Sequence, residues 1–273
     1  LRSTTVTSAS RDNFDATVEE VDLGSQAAAD AIDTWVNDQT KGLIENIAAD
    51  LGLPDPGAVL ALVNAVYFLG EWTTQFNPSD TADAPFTKAD GTTITVPMMH
   101  LHGQTFAATE RPGYQMIRMP YGHDGRYGME IFLPAQNNDI RHLLSSLDAT
   151  EWHAAVNSLK NETFGSVALP RLELEWNGEL AQPLEDLGMA EAFGAQADFS
   201  AMSPAAPQLA GMVHKTYIRI DEHGTEAAAV TGGLTRTSVQ SVFHVDRPFI
   251  FTISDRDTGT IVFLGAVADP AGS

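Results

Sequence analysis

Two histidines, His100 and His102, alternate along a strand-like run and so share one face, where a pair of imidazoles could meet on a metal. No third ligand lies near them in the sequence, so they read as two exposed or hydrogen-bonded imidazoles, and no metal is assigned. Glu173 and Glu175 repeat the spacing with carboxylates, the residue types of an acid and base pair, yet on an outward face they read as two solvated acids. A nucleophile on a strained turn would carry GxSxG, a phosphate cradle GxxxxGK[ST] and a dinucleotide site GxGxxG; none of these occurs. The chain has no Cys, which removes thiolate nucleophiles, disulfides and thiolate-bound zinc. These residues assign no cofactor and argue against an enzyme.

With 36 Asp and Glu against 15 Lys and Arg, the formal charge of −21 repels phosphate backbones and anionic lipid alike. Nucleic acid and membrane surfaces are therefore not expected partners. No apolar run reaches the roughly 18 residues that span a bilayer, and LRSTTVTSAS has the pattern of neither a signal nor a transit peptide. The compartment stays open, with a secreted or extracellular setting favoured. At 273 residues and 43% hydrophobic content the chain can bury a large core.

The elements that would position any site alternate between helix and strand. SQAAADAIDTWVND (25–38) reads as a helix behind a Ser cap, closed by TKG, and LIENIAADL as a second short helix. AVLALVNAVYFLGEW (58–72) is so continuously apolar that it reads as a central strand covered on both faces. Asn64 within it is conspicuous, because a buried amide without partners costs about 1–3 kcal/mol. From 86 to 135 the pattern is β: a hairpin turning at Asp90-Gly91, then TFAATE, MIRMPYG and YGMEIFLPA. IRHLLSSL and TEWHAAVNSL are amphipathic helices, SVALPRLELEW returns to strand, and LAQPLEDLGM is a helix stopped at Gly188. The final apolar strands flank a turn at Asp257-Thr258-Gly259. One α+β domain with large mixed and antiparallel sheets is the expected fold.

HKTYIRID (214–221) presents His214, Thr216, Ile218 and Ile220 as an inward series, which makes His214 a buried, hydrogen-bonded residue. The residues after it are unusual. Past Gly224, the positions Thr225, Ala227, Ala229, Thr231 and Gly233 lie on one face of an extended chain, and nothing on that face is larger than Thr. Glu226 falls on the other face. Such a segment can slide between two existing strands, since no bulky group has to be forced through a core.

These residues also carry a family resemblance. EHGTEAAAVT (222–231), comprising Glu222, Gly224, Thr225, Glu226, Ala227, Ala228 and Ala229, resembles the reactive-loop hinge EEGTEAAAAT of the serpins. The resemblance continues in NAVYFLGEW (64–72), VPMM (96–99), PRLELEWNGELAQPLEDLGMAEAF (170–193), ADFSAMS (197–203), VHKTYIRIDE (213–222) and FHVDRPFIFTI (243–253). It implies a serpin fold of 1–273 as a single domain with helices around large sheets. It implies an exposed reactive-centre loop at about 222–243 and about a quarter to a third of the usual fold without counterpart at the front.

The implied function is inhibition of serine proteases. The protease attacks the loop, an acyl-enzyme forms, and the cleaved loop inserts as a new central strand before water can release the enzyme. Asn64 and His214 match the family's polar cluster beneath the opening point, and Trp72 matches the site where insertion begins. Counting seventeen positions from Glu222 puts the residue before the scissile bond at Ser238, whereas counting back from Pro248 gives Thr237. The bond therefore lies within Arg236-Thr237-Ser238-Val239. A small residue there, the favoured case, suits elastase-like or subtilisin-like proteases; cleavage after Arg236 suits trypsin-like ones. The alternative function is a non-inhibitory serpin acting as a carrier or chaperone; such members usually place Pro, a charge or bulky groups in the hinge, and the Thr225, Ala227, Ala229 series shows none, while the two glycines Gly232-Gly233 add a flexibility that favours cleavage without trapping.

Overall fold

The computed structural model describes residues 12–13, 15–58, 60–136, 139–200, 209, 212–224 and 241–271. Its elements are α1 (Gln26–Gln39), β1 (Val63–Tyr67), β2 (Ala82–Thr87), β3 (Thr93–Arg111), β4 (Tyr114–Pro120), β5 (Tyr127–Pro134), α2 (Ile140–Ser146) and α3 (Ala149–Ser158). Then come β6 (Lys160–Pro170), β7 (Leu172–Glu179), α4 (Ala181–Leu184), α5 (Ala190–Phe193), β8 (Val213–Ile220), β9 (Ser241–His244), β10 (Phe249–Asp255) and β11 (Thr260–Val267). Helices and sheets mix as an α+β fold requires. By its internal packing the chain forms two compact units, one reaching to Tyr67 with Glu175–Ile218, the other Phe68–Leu174 with the stretch from Arg219 on.

In the first unit, the Ser25 hydroxyl accepts the Ala28 amide at 3.2 Å and starts α1, which buries Ala28, Ala29 and Val36. The expected second helix does not form. The Asp33 carboxylate on α1 instead accepts the amides of Ile47 and Ala48 at 2.7 and 2.8 Å, and the buried Thr40 hydroxyl accepts that of Ile44 at 3.0 Å. Side chains thus take the donors a helix would have used, and 43–52 runs as turns that bury Ile44, Ile47 and Ala48. Val36, Ile44 and Ile47 pack with Val213, Val63 and Tyr217, so α1 and its following turns form one side of the core under β1 and β8.

The sheet here has three strands in the order β1-β8-β7, with β1 parallel to β8. Among the described residues, the fifteen-residue apolar run expected to be one covered central strand is a strand only over Val63–Tyr67, which ends this sheet's order and is only partly buried. LAQPLEDLGM begins as α4 and breaks at Gly188, whose φ of 100° no helix permits.

In the second unit, an eight-stranded sheet runs β11-β10-β5-β4-β3-β6-β9, with β2 paired to β3 off this path. TFAATE is no separate strand. It continues the hairpin strand as the 19-residue β3. SVALPRLELEW divides at Arg171, where β6 stays in the large sheet and β7 passes to the small one. β10 is buried along its whole length between β11 and β5, which is why RPFIFTISD has no polar alternation. α2 and α3, capped by Asp139 and Asp148, lay Ile140, Leu143, Trp152 and Ala155 against Tyr114, Met116, Phe132 and Ile250. Inside the sheet the fully buried Glu130 accepts from Arg118 at 2.6 Å, Thr252 at 2.7 Å and Ser254 at 2.8 Å.

Candidate functional site

In the second unit the site residues gather where the chain leaves β8. Asp221 and Gly224 exchange backbone hydrogen bonds of 3.2 and 3.3 Å, closing a tight turn over Glu222 and His223. Two residues of the segment after β1 hold that turn with three hydrogen bonds. The Trp72 amide donates to the His223 carbonyl at 3.0 Å, its indole Nε1 to the Asp221 carbonyl at 2.9 Å, and the Phe76 amide to the Glu222 carbonyl at 2.9 Å. Trp72 is 3% exposed and lies flat on Tyr121, ring centroids 4.3 Å apart. Its ring is therefore fixed from one face while its N–H pins the turn.

Gly224 is obligatory here. Its φ is 104°, and a β-carbon would meet the Gly70 carbonyl oxygen, lie 2.5 Å from the Trp72 nitrogen and 2.7 Å from Cα of Glu71. All three are backbone atoms, so no rotamer change makes room.

The Glu222 side chain turns inward, 4% exposed, to the Arg171 guanidinium and the Thr81 hydroxyl, the latter at 2.5 Å. Burial opposes its ionisation, yet Thr81 and Arg171 outweigh burial and hold the carboxyl below the usual range. The first residue of the expected hinge is thus fastened by backbone and side chain together. Arg171 and Thr81 escaped the sequence reading because they lie 51 and 141 positions away. The only local signal was an Arg at the break between two strands.

In the first unit Asn64 and His214 face each other in the parallel register, which runs from Val63 opposite Val213 to Tyr67 opposite Tyr217. Neither is buried as expected: Asn64 is exposed and His214 half-buried, its ring 6.0 Å from Trp176. Burial lowers the His214 pKa, while a hydrogen bond from its ring to the backbone carbonyl of Asn64 pulls the other way. The inward series is also corrected. Val213, Lys215, Ile218 and Ile220 are the buried positions of β8, so the alternation slips between Lys215 and Ile218.

Lys215 was not singled out by the sequence, although it is one of only four lysines and lies on an apolar strand. Its Nζ donates to the Asn46 carbonyl at 3.1 Å and sits 3.0 Å from Glu175 and 3.6 Å from Asp50. Glu175, read as a solvated acid, is its ion-pair partner. Thr225, Glu226, Ala227, Ala228 and Ala229 of the hinge, and Arg236, Thr237, Ser238 and Val239 around the scissile bond, lie outside the described residues.

His100 and His102 lie side by side, with parallel rings 6.1 Å apart, and β9 brings His244 to 6.3 Å from His100. Among the described residues no three His, Asp or Glu side chains are placed to share a metal ion. No described helix is long and apolar enough to cross a membrane.

Residues 4–270 match the family model described as Serpin (serine protease inhibitor). The chain is similar to human Serpin B11, 34% identical over 269 residues that cover 94% of this chain and 67% of that protein. It is 35% identical to rat neuroserpin over 272 residues, covering 94% and 65%, and 38% identical to an uncharacterized serpin-like protein of Thermococcus kodakarensis over 261 residues, covering 92% and 59%. This chain belongs to the serpin family. It spans about two thirds of the length of the curated relatives it matches.

Proposed function

We propose that the protein to which this chain belongs inhibits serine endopeptidases as a suicide substrate. Residues from about 222 to 243 act as bait. A protease cleaves within Arg236-Thr237-Ser238-Val239, is held as an acyl-enzyme, and is trapped when the hinge from Thr225 through Ala229 inserts between β1 and β8. The observation that carries this reading is the direct parallel pairing of β1 with β8 from Val63 to Tyr67. Two parallel neighbours that bond to each other can part to admit a third strand antiparallel to both, the direction a chain takes after turning back at Gly224, and the inserted strand then bonds on both sides. At about 0.5–1.5 kcal/mol net per hydrogen bond, roughly a dozen inserted residues supply enough free energy to hold an acyl-enzyme in a distorted state.

The fastening of Glu222 and Gly224 beside Trp72 adds support, because it fixes the end from which insertion proceeds. Asn64 and His214, facing each other across the β1–β8 seam, must separate as the insertion advances. The favoured targets are elastase-like or subtilisin-like proteases, with trypsin-like ones as the alternative should cleavage follow Arg236.

Incubation of the full-length protein with elastase, subtilisin and trypsin tests the reading. An SDS-stable adduct with at least one of them is expected, and the mass of the released C-terminal peptide identifies the bond. Cleavage in the loop with free, active protease and no adduct overturns trapping. It would indicate instead the alternative, a non-inhibitory carrier or chaperone.

A further inference from the structure

The third imidazole that the sequence lacked arrives from β9. His100 on β3 faces Ala168 on β6, and Ala168 faces His244 on β9, so one line of register crosses three strands. Ala168 is small and buried, which lets the flanking rings approach over it to 6.3 Å. His102 stacks on His100 from the same strand, and His244 Nε2 reaches the Ser166 hydroxyl of β6 at 3.0 Å. The strand so decorated is the shortest of the large sheet and ends its order. Among the described residues β9 pairs only with β6, over four residues and with a register irregularity opposite Phe164–Ser166. Its inward contacts are Phe243 and the adjoining Val245.

We propose that His100, His102 and His244 form an acid-sensitive latch, in which neutral imidazoles leave β9 seated on β6 and protonated ones push it off the sheet edge. The charged and titratable groups facing His100 are His102 from β3, His244 from β9 and Asp80 from the short turn before β2; β6 contributes only Ala168 and Ser166. Burial, His102 and His244 disfavour the charged form of His100, in that order, and Asp80 opposes them with less effect. A histidine whose folded pKa is lowered loses stability as pH falls, because the open form binds the proton more readily. Seating is therefore strongest above the ordinary imidazole range and weakens as pH falls through it toward the lowered folded value. This inference stands apart from the inhibitory reading, since it concerns only the seating of β9.

Hydrogen exchange of the full-length protein at pH 7.5 and 5.5, corrected for the chemical exchange rate, tests it. Two charges about 6 Å apart in a water-like dielectric repel enough to shift an opening equilibrium about threefold. The peptide covering β9 is thus expected to lose about threefold or more of its protection at pH 5.5, while the peptide covering β5 loses none. His100→Gln and His244→Gln should each abolish that difference. Equal protection of β9 at both pH values, a fall of the same size in β5, or a fall that persists in both variants overturns the latch.

Discussion

Replacing Gly224 by Ala probes the fastening of the hinge most directly. The added methyl imposes two costs. A residue with a β-carbon at φ 104° is strained by about 1–2 kcal/mol relative to glycine. The contacts at 2.5 Å to Trp72 N and 2.7 Å to Glu71 Cα, with the Gly70 carbonyl closer still, add about 1–3 kcal/mol, because only backbone movement relieves them. Together these destabilise the turn by about 2–5 kcal/mol. That corresponds to a fall of roughly 4–20 °C in apparent Tm, at about 2–4 °C per kcal/mol for a domain of this size. Trp72 reports the same event, for its amide and indole N–H both bond to the turn. Thermal scans at one fixed rate, with tryptophan emission and exchange of the Trp72 amide, measure both consequences. Should Gly224→Ala melt within about 1 °C of the parent with the Trp72 amide equally protected, the close approach to Gly70, Glu71 and Trp72 does not exist and the argument fails.

Two further outcomes follow from the ion pairs. Arg171→Met is expected to cost about 1–2 kcal/mol at pH 7, a figure reduced for the half-exposure of Arg171. Because the Glu222 carboxyl is held below its usual range, that contribution is present above the ordinary carboxylate pKa and lost as pH falls through the folded value; urea midpoints of parent and variant should therefore converge on acidification. Glu130→Ala strands the 14%-exposed Arg118 guanidinium and should cost about 3–5 kcal/mol, whereas the pair Glu130→Leu with Arg118→Met should recover much of it in the same urea series.

What the sequence disclosed depended on how local each cause was. Of the expected hinge only Glu222, His223 and Gly224 are described, and there the turn at Gly224 follows from a glycine placed where the chain doubles back. The helix over 25–38, the hairpin at Asp90-Gly91 and the break at Gly188 were legible for the same reason: cap, turn and stop are neighbours in the chain. LIENIAADL was misread because its alternatives to a helix, Asp33 and Thr40, are side chains on another element. The run 58–72 was read as one covered strand because apolar continuity records burial potential, not which residues find a strand to pair with. On β8 a strict period of two assigned His214 inward, but the strand lets Thr216 and Tyr217 both sit half-buried, and Lys215 takes the interior beside Asp50 and Glu175. The partners of Glu222 were illegible, since nothing near Thr81 or Arg171 marks them as destinations for an acid far along the chain.

Under the proposed insertion, the seam between β1 and β8 has a second role. It is short and parallel, the kind of ladder that is slightly weaker per residue, and its five rungs must part before a guest can seat. Parting them forfeits one ladder at once, while the guest writes two only as it advances, so the early steps run uphill and the later ones downhill. The rung count therefore sets the molecule's clock: a longer seam would leave an inhibitor too slow to catch its enzyme, and a shorter one would let it fire before any enzyme arrived.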